Sequence, residues 1–141
     1  KVHNKVVGRP KIDLDLETRV QTVCREAISG NLLSSAHDCS EGGIAIAIAE
    51  SCIANNIGFQ GEFEIRGRWD AALFGENQSR ILVSLPDKSI DNLELITNNI
   101  GVPMMRLGTL GGRGLVIPGL ISIDLKKLSD SWANGLKRNT C

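Results

Sequence analysis

Ser35-Ala36-His37-Asp38-Cys39-Ser40-Glu41-Gly42-Gly43-Ile44 joins two stretches of different character, and its reading decides the fold. Before it, Leu32 to Ala36 has the length and apolar content of a short buried strand. After it, Ile44-Ala45-Ile46-Ala47-Ile48-Ala49 alternates with period two and superficially resembles another strand. The alanines decide for a helix. Alanine is apolar, so no wet face alternates with a dry one, and it is the best helix former and depleted in strands. The apolar run continues to Ala54, interrupted only by Glu50 and Ser51, and Asn55-Asn56 closes it. The order is strand, polar glycine-bearing turn, helix, a junction where backbone N–H groups are left unpaired.

Upstream, Asp13 or Asp15 caps a helix with Glu17 in its first turn. Leu16, Val20, Val23 and Ala27 form its buried stripe, and Gly30-Asn31 ends it. Lys1 to Asp13, with Gly8 and Pro10, reads as a linker into a domain spanning 14–141, although Val2, Val6 and Val7 suit a docked extended arm. Downstream, Phe59, Gly61, Phe63 and Ile65 alternate with Gln60, Glu62, Glu64 and Arg66 as a half-buried strand. Asp70 is expected to cap a short helix through Ala71, Ala72 and Leu73, broken by Gly75. Arg80 to Leu85 is a nearly continuous apolar run, expected to be a central strand. Pro86-Asp87 turns and Ser89 caps a helix with the stripe Ile90, Leu93, Ile96 and Ile100, ending at Gly101. Met105 to Leu110 and Leu115 to Ile117 flank Gly111-Gly112-Arg113-Gly114, predicting a hairpin. Asp124 opens a last helix through Leu125, Leu128, Trp132 and Leu136. Helices alternating with strands around a mixed sheet make an α+β, layered domain. The strands are too few and too irregularly spaced for a barrel or a doubly wound dinucleotide fold.

A chain of 141 residues suits one domain with its own core. Its 16 basic and 16 acidic residues cancel, and neither sign forms a stripe, which argues against a nucleic-acid or anionic-membrane surface. Three Phe, two Trp and no Tyr argue against a stacking platform for single-stranded nucleic acid. Cys24, Cys39, Cys52 and Cys141 form no C-x-x-C pair and read as free thiols in a reducing, cytoplasmic compartment. His37 and Cys39 put two metal-ligand types close together, but no second pair answers them, so no metal site is expected. No apolar run approaches the roughly 18–20 residues that span a bilayer. The first residue is Lys rather than Met, so we expect a piece of something longer.

Three stretches offer chemistry. Gly111-Gly112-Arg113-Gly114 suits either a phosphate cradle or a loop needing positive φ, and it lacks the following Lys-Ser/Thr of a P-loop. Glu76-Asn77-Gln78-Ser79-Arg80 enters a strand straight after a glycine. It either lines one end of the sheet or is a polar turn with Arg80 paired to a carboxylate. His37-Asp38 reads as an acid–base or orienting pair. In the structural alternative, Ser40 and Glu41 are capping groups and Gly42-Gly43 let helix and strand approach closely. No Gly-x-Ser-x-Gly elbow and no second triad histidine is present.

Taken whole, Ser35 to Glu50 resembles a signature of the synthetase subunit of phosphoribosylformylglycinamidine synthase. Phe74-Gly75-Glu76-Asn77-Gln78-Ser79-Arg80 resembles its second hallmark, usually a Glu-Ser-Gln-Ser-Arg run, and the order and spacing of the two also fit. The resemblance implies a three-layer α/β/α domain with a mixed sheet and partial ferredoxin-like topology. That is the C-terminal (PurM-like) domain type shared with aminoimidazole ribonucleotide synthetase. The latter has a Thr-Gly-Gly-Gly run where this chain has Cys39 to Gly43, so His37-Asp38-Cys39-Ser40 argues for the former. It implies the last domain of the second half of an ATP- and Mg2+-dependent ligase. The family's catalytic histidine and main magnesium ligands lie upstream, so no catalytic residue is expected in this chain. Ligand-facing candidates are His37, Asp38, Ser40, Glu41, Gly42, Gly43, Glu76, Asn77, Gln78 and Arg80. Implied partners are upstream domains of the same polypeptide, a glutaminase subunit and a small accessory subunit, with neither nucleic acid nor membrane. Two positions depart from the pattern: Asn77 replaces the usual Ser, and Cys39 stands where Val or Ala is common. The alternative is a module that binds a phosphorylated metabolite without chemistry.

Overall fold

In the computed structural model, which describes residues 12–65 and 67–135, the alanine-rich run is a helix. The expected linker lies almost wholly outside the described residues, as do Arg66 and Leu136. The alanine-rich helix spans Gly43–Asn55 and is the second of the chain (α2); Asn56 closes it in the left-handed conformation at φ 48°. It buries Ala45, Ala47, Ile48, Ala49 and Cys52, so small side chains let neighbours approach from several sides. Ala45, Ile48, Ala49 and Cys52 share one cluster with Leu73, Phe59, Leu115, Ile117 and Leu125. Helix α1 (Leu14–Ser29) starts at Asp13, whose carboxylate accepts the Leu16 N–H, and buries Val20, Val23 and Ala27. Helix α4 (Ile90–Ile100) ends on Gly101 at φ 74° and packs Leu93 against Val23 and Ala27 in a second cluster.

Among the described residues the strands form two sheets. Strands β1 (Ser35–Asp38) and β3 (Ile81–Ser84) are an antiparallel pair, with Asp38 opposite Ile81 and His37 opposite Leu82. The mixed sheet has the order β4 (Gly108–Leu110), β2 (Phe59–Gly61), β5 (Gly114–Ile117), β6 (Ile121–Asp124). In it β2 runs parallel to β5 and antiparallel to β4. Leu82 packs on the α2 cluster and Val83 on the α1–α4 cluster, so helices cover both faces of the β1–β3 pair. The last helix, α5 (Leu125–Asn134), starts at Asp124, whose side chain accepts from Lys126 N and Lys127 N.

Several expectations are corrected. The predicted hairpin across Gly111 to Gly114 does not form, because β2 lies between β4 and β5. The loop instead arches over the start of β2: Gly111 N donates to Gly58 O at 2.8 Å and Gly58 N to Gly112 O at 3.3 Å. The antiparallel neighbours joined by a short turn are β5 and β6, with Gly119 at φ 74° between them, and sequence reading missed β6. Arg80 to Leu85 is not central. It pairs with β1 alone, and its apolar character reflects helices on both faces rather than strands on both edges. The strand expected at Leu32 to Ala36 begins at Ser35 and is largely exposed, while Leu32 and Leu33 pack on the α1–α4 cluster before it. The ladder of β2 stops at Gly61, although burial keeps alternating to Ile65 and Glu62 N still reaches Leu107 O at 2.8 Å. Asp70 lies inside the first turn of α3 (Trp69–Phe74) instead of capping it, and Arg68 holds the cap position. The guanidinium of Arg68 grips the Asp70 carboxylate at 3.1 and 2.6 Å and holds its pKa below the usual range. Ser89 ends a 3-10 turn (Asp87–Ser89) and makes no side-chain capping bond to α4.

The arch predicts a steric effect. A Cβ at Gly58 would lie 2.5 Å from Gly111 O and 2.6 Å from Gly114 O, both backbone atoms. Gly58→Ala should cost about 1–3 kcal/mol in a denaturant melt, since an overpacked backbone contact has to move. A neutral substitution would mean the loop does not cross β2 there.

Candidate functional site

The β1–β3 pairing decides which residues meet. With Asp38 opposite Ile81, the turn leaving β1 lies beside the loop entering β3, and Cys39 N donates to Arg80 O at 3.1 Å. The turn then reaches α2 through Gly42 and Gly43, at φ 74° and 68°. No side chain of the Gly42 cap position satisfies the first N–H groups of the helix. The carboxylate of Glu76 does so from across the loop: Gly42 N donates to Glu76 Oε1 at 3.0 Å. A carboxylate at a helix N-terminus satisfies an orphan donor and complements the dipole. Gly43 is equally constrained, because a Cβ there would lie 2.7 Å from Leu73 O and 2.8 Å from Gly75 O. The start of α2 and the end of α3 therefore meet backbone to backbone.

Arg80 folds the second loop on itself. Its guanidinium donates to Gly75 O, and its Nε to Asn77 O at 3.3 Å. In one of the two readings of this stretch Arg80 pairs with a carboxylate; its partners are these backbone carbonyls instead. Ser79, at φ 60°, donates its hydroxyl to Glu17 Oε2 at 2.7 Å and so ties the loop to α1. That hydrogen bond, aided by one from Gln21, lowers the Glu17 pKa. Sequence reading gave Glu17 only a place in the first turn of α1, and no local pattern announced a partner beyond position 78. Glu50 stands in the sequence as an interruption of an apolar run and the last residue of the signature stretch, with no partner named; its carboxylate lies 3.6 Å from His37 Nε2.

The expected site residues divide accordingly. Gly42, Gly43, Glu76 and Arg80 are brought together by direct contacts. Asp38, Ser40, Glu41, Asn77 and Gln78 lie exposed on the same two loops or at the end of β1. His37 is half-buried, and its Nδ1 is 2.6 Å from the Asp38 carbonyl but 4.0 Å from the carboxylate. A carboxylate-oriented acid–base dyad needs the shorter contact to the carboxylate, so the orienting partner here is the backbone. In the Gly111–Gly114 loop the Gly111 N–H and the Gly112 carbonyl bond Gly58, and Arg113 O accepts the Leu125 N–H at 2.9 Å, so the loop ties β2 and α5 together.

Burial pushes the thiols of Cys39 and Cys52 up, outweighing the nearby Arg80 at Cys39. Both are buried, at 6% and 1% exposure. Because the thiolate is the reactive form, neutral-pH alkylation should modify them only as fast as the fold opens. Labelling of Cys39 equally fast in native buffer and in denaturant would contradict this packing.

The geometry can be set beside known proteins. The family model "AIR synthase related protein, C-terminal domain" matches residues 2–118. Among relatives, "Phosphoribosylformylglycinamidine synthase subunit PurL" of Anaeromyxobacter dehalogenans is 41% identical over 95% of this chain. The proteins of that name from Thermomicrobium roseum and Trichormus variabilis are 42% and 37% identical over 95% and 97% of it. In all three the matched part is 19% of the relative, so the chain spans about a fifth of their length. Among solved structures, phosphoribosylformylglycinamidine synthase II of Thermotoga maritima superposes with a TM-score of 0.74 at 15% identity, covering 85% of this chain and 22% of that one. PurL of that organism complexed with ATP gives 0.73 at 16% identity, over 84% of this chain and 22% of that one. Its PurLQS structure gives 0.72 at 16%, over 89% and 23%. At these identities the structures establish a shared α+β fold with a mixed sheet.

Proposed function

The chain belongs to the AIR synthase related protein C-terminal domain family, and from that premise we propose that it is the last domain of the second half of a phosphoribosylformylglycinamidine synthase synthetase subunit. One observation carries the proposal. The two stretches that resemble the family's hallmarks, far apart in sequence, are joined by the Gly42 N–Glu76 Oε1 hydrogen bond and the contact of Gly43 with the Leu73 and Gly75 carbonyls. The identity of 37–42% to relatives of that name, over nearly the whole chain, supports it. The intact protein would use ATP to phosphorylate the amide oxygen of formylglycinamide ribonucleotide, releasing ADP. Ammonia from glutamine then adds to that carbon and phosphate leaves, giving the amidine. Phosphorylation turns a poor leaving group into a good one, and enclosure keeps water from the intermediate.

Within that scheme we assign residues 14–141 a scaffolding role and no catalytic group. The Gly42 N–H is taken by Glu76, and two of the Arg80 donors go to the backbone carbonyls of Gly75 and Asn77, which gives both residues a structural use. Among the described residues no three carboxylate, imidazole or thiol side chains converge on a point. On the family resemblance, we place ATP and Mg2+ on upstream domains. The resemblance implies two similar halves with a site in each, and we assign the exposed residues Asp38, Ser40, Glu41, Asn77 and Gln78 to the rim of the second half's site. We place the protein in the cytoplasm, with the glutaminase and small accessory subunits as partners. Among the described residues no helix is long and apolar enough to cross a membrane.

The test is amidine formation by the intact polypeptide that carries this chain, supplied with formylglycinamide ribonucleotide, ATP, Mg2+ and an ammonium salt. Stoichiometric amidine and ADP are expected, and no activity from residues 1–141 alone. Failure of the intact protein to form amidine, or turnover by the isolated segment, would overturn the assignment.

A further inference from the structure

Side chains hold the Gly75–Arg80 loop at three points. Glu76 accepts the Gly42 N–H at the start of α2, Arg80 closes the loop on the Gly75 and Asn77 carbonyls, and Ser79 donates its hydroxyl to Glu17 Oε2 of α1 at 2.7 Å. The third tether acts on a strained residue. Ser79 has φ 60°, and the other non-glycine residues with positive φ among the described residues are asparagines, Asn31 and Asn56. Asparagine tolerates the left-handed region, whereas serine enters it where its surroundings impose it. Here the imposing group is a carboxylate engaged at both oxygens: Gln21 Nε2 donates to Glu17 Oε1 at 2.8 Å, and Ser79 takes Oε2. Its lowered pKa keeps Glu17 ionised at neutral pH, so the bond to Ser79 is charge-assisted. The loop backbone is fixed in this way while the Asn77 and Gln78 side chains stay exposed.

We propose that Glu17 is a positioning residue: its carboxylate offsets the left-handed strain at Ser79 and so sets the direction in which Asn77 and Gln78 leave the loop. Strain of this kind persists only where neighbouring contacts over-determine it, and it clusters at ligand-binding loops. The inference rests on the reading above that these two amides lie on the rim of the second half's site. It adds that their presentation is set from α1, 62 residues away in sequence. Without the carboxylate, Ser79 relaxes to negative φ, which turns the chain between Asn77 and Arg80 and breaks the bond from Arg80 Nε to the Asn77 carbonyl. A loop held ready in advance has less freedom to lose when a ligand binds.

The experiment is amide hydrogen exchange of the intact protein at neutral pH, read by mass spectrometry on peptides covering residues 75–80. In Glu17→Ala, exchange there should rise about tenfold, since release of the left-handed residue then favours the open loop. Ser79→Ala keeps the strain and loses the hydroxyl, and it should match Glu17→Ala. Ser79→Gly, alone or added to Glu17→Ala, should hold exchange within about threefold of wild type, because glycine adopts φ 60° without strain. That rescue separates positioning from general stabilisation, which deleting the second partner as well would not restore. Melting curves confirm that the variants fold, and the contrast of Ser79→Ala with Ser79→Gly carries the test if Glu17→Ala does not. Unchanged exchange in folded Ser79→Ala, or Ser79→Gly exchanging as fast as Ser79→Ala, would overturn the proposal. Neither result depends on amidine formation, so the two proposals fail separately.

Discussion

Gly43→Ala is expected to destabilise the domain by about 2–5 kcal/mol, combining left-handed backbone strain with steric overlap. At φ 68° the added Cβ is unfavourable in any surroundings. Here it would also lie 2.7–2.8 Å from the backbone of Leu73, Phe74 and Gly75, which cannot swing aside as a flexible side chain would. The start of α2 would have to withdraw from α3, and the Gly42–Glu76 bond would lengthen with it. Gly119→Ala separates the two causes: that glycine has φ 74° but nothing within 4 Å of an added Cβ. It should show only the strain, about 1–2 kcal/mol. Equal losses at the two positions in a denaturant melt would mean that the contact between α2 and α3 contributes nothing.

Leu73→Ala should cost about 2–5 kcal/mol, the usual range for removing a fully buried leucine and leaving a cavity. Leu73 is 0% exposed and is the only buried residue of α3, whose neighbours Trp69 and Phe74 are exposed. A six-residue helix has too few internal hydrogen bonds to persist by itself. Its place therefore depends on this one side chain in the α2 cluster, and through it so does the position of Glu76. Phe74→Ala, on the same helix but 43% exposed, should cost less than about 1 kcal/mol. The contrast is read in paired thermal melts, and comparable losses would contradict the assignment of Leu73 as the anchor.

What was legible in the sequence follows from the range of the interactions involved. Helices α1, α2, α4 and α5 depend on local patterns and were readable as helices, but the stripe read for α5 holds only in part: Leu125 is buried, Trp132 is 60% exposed, and Leu136 lies outside the described residues. Asp13 and Asp124 cap by side chain, and Asn56 and Gly101 close in left-handed conformations, as residue type allows. Alanine content separated α2 from a strand because propensity and burial pointed the same way. Strand partnership is not local. The Gly111–Gly114 loop has the composition of a hairpin, and nothing within it says that β2, some fifty residues earlier, inserts between its flanks. The apolar run at Ile81–Ser84 records burial on both faces, but the covering layers are helices, and sequence cannot distinguish that from a central strand. At the site, residue types were legible and their partners were not. The two hallmark stretches stood out, yet Glu76 reaching Gly42, Ser79 reaching Glu17 and Glu50 facing His37 are products of tertiary packing.

The central claim is that Glu76 holds two loops together rather than handling substrate. The most direct measurement is turnover and melting of the intact protein carrying Glu76→Ala, with Gln78→Ala alongside. Loss of the helix-capping carboxylate should cost about 1 kcal/mol and lower the melting temperature by a few degrees, with turnover of the folded fraction nearly preserved. A large fall in turnover with unchanged melting would contradict the account and place Glu76 on the substrate.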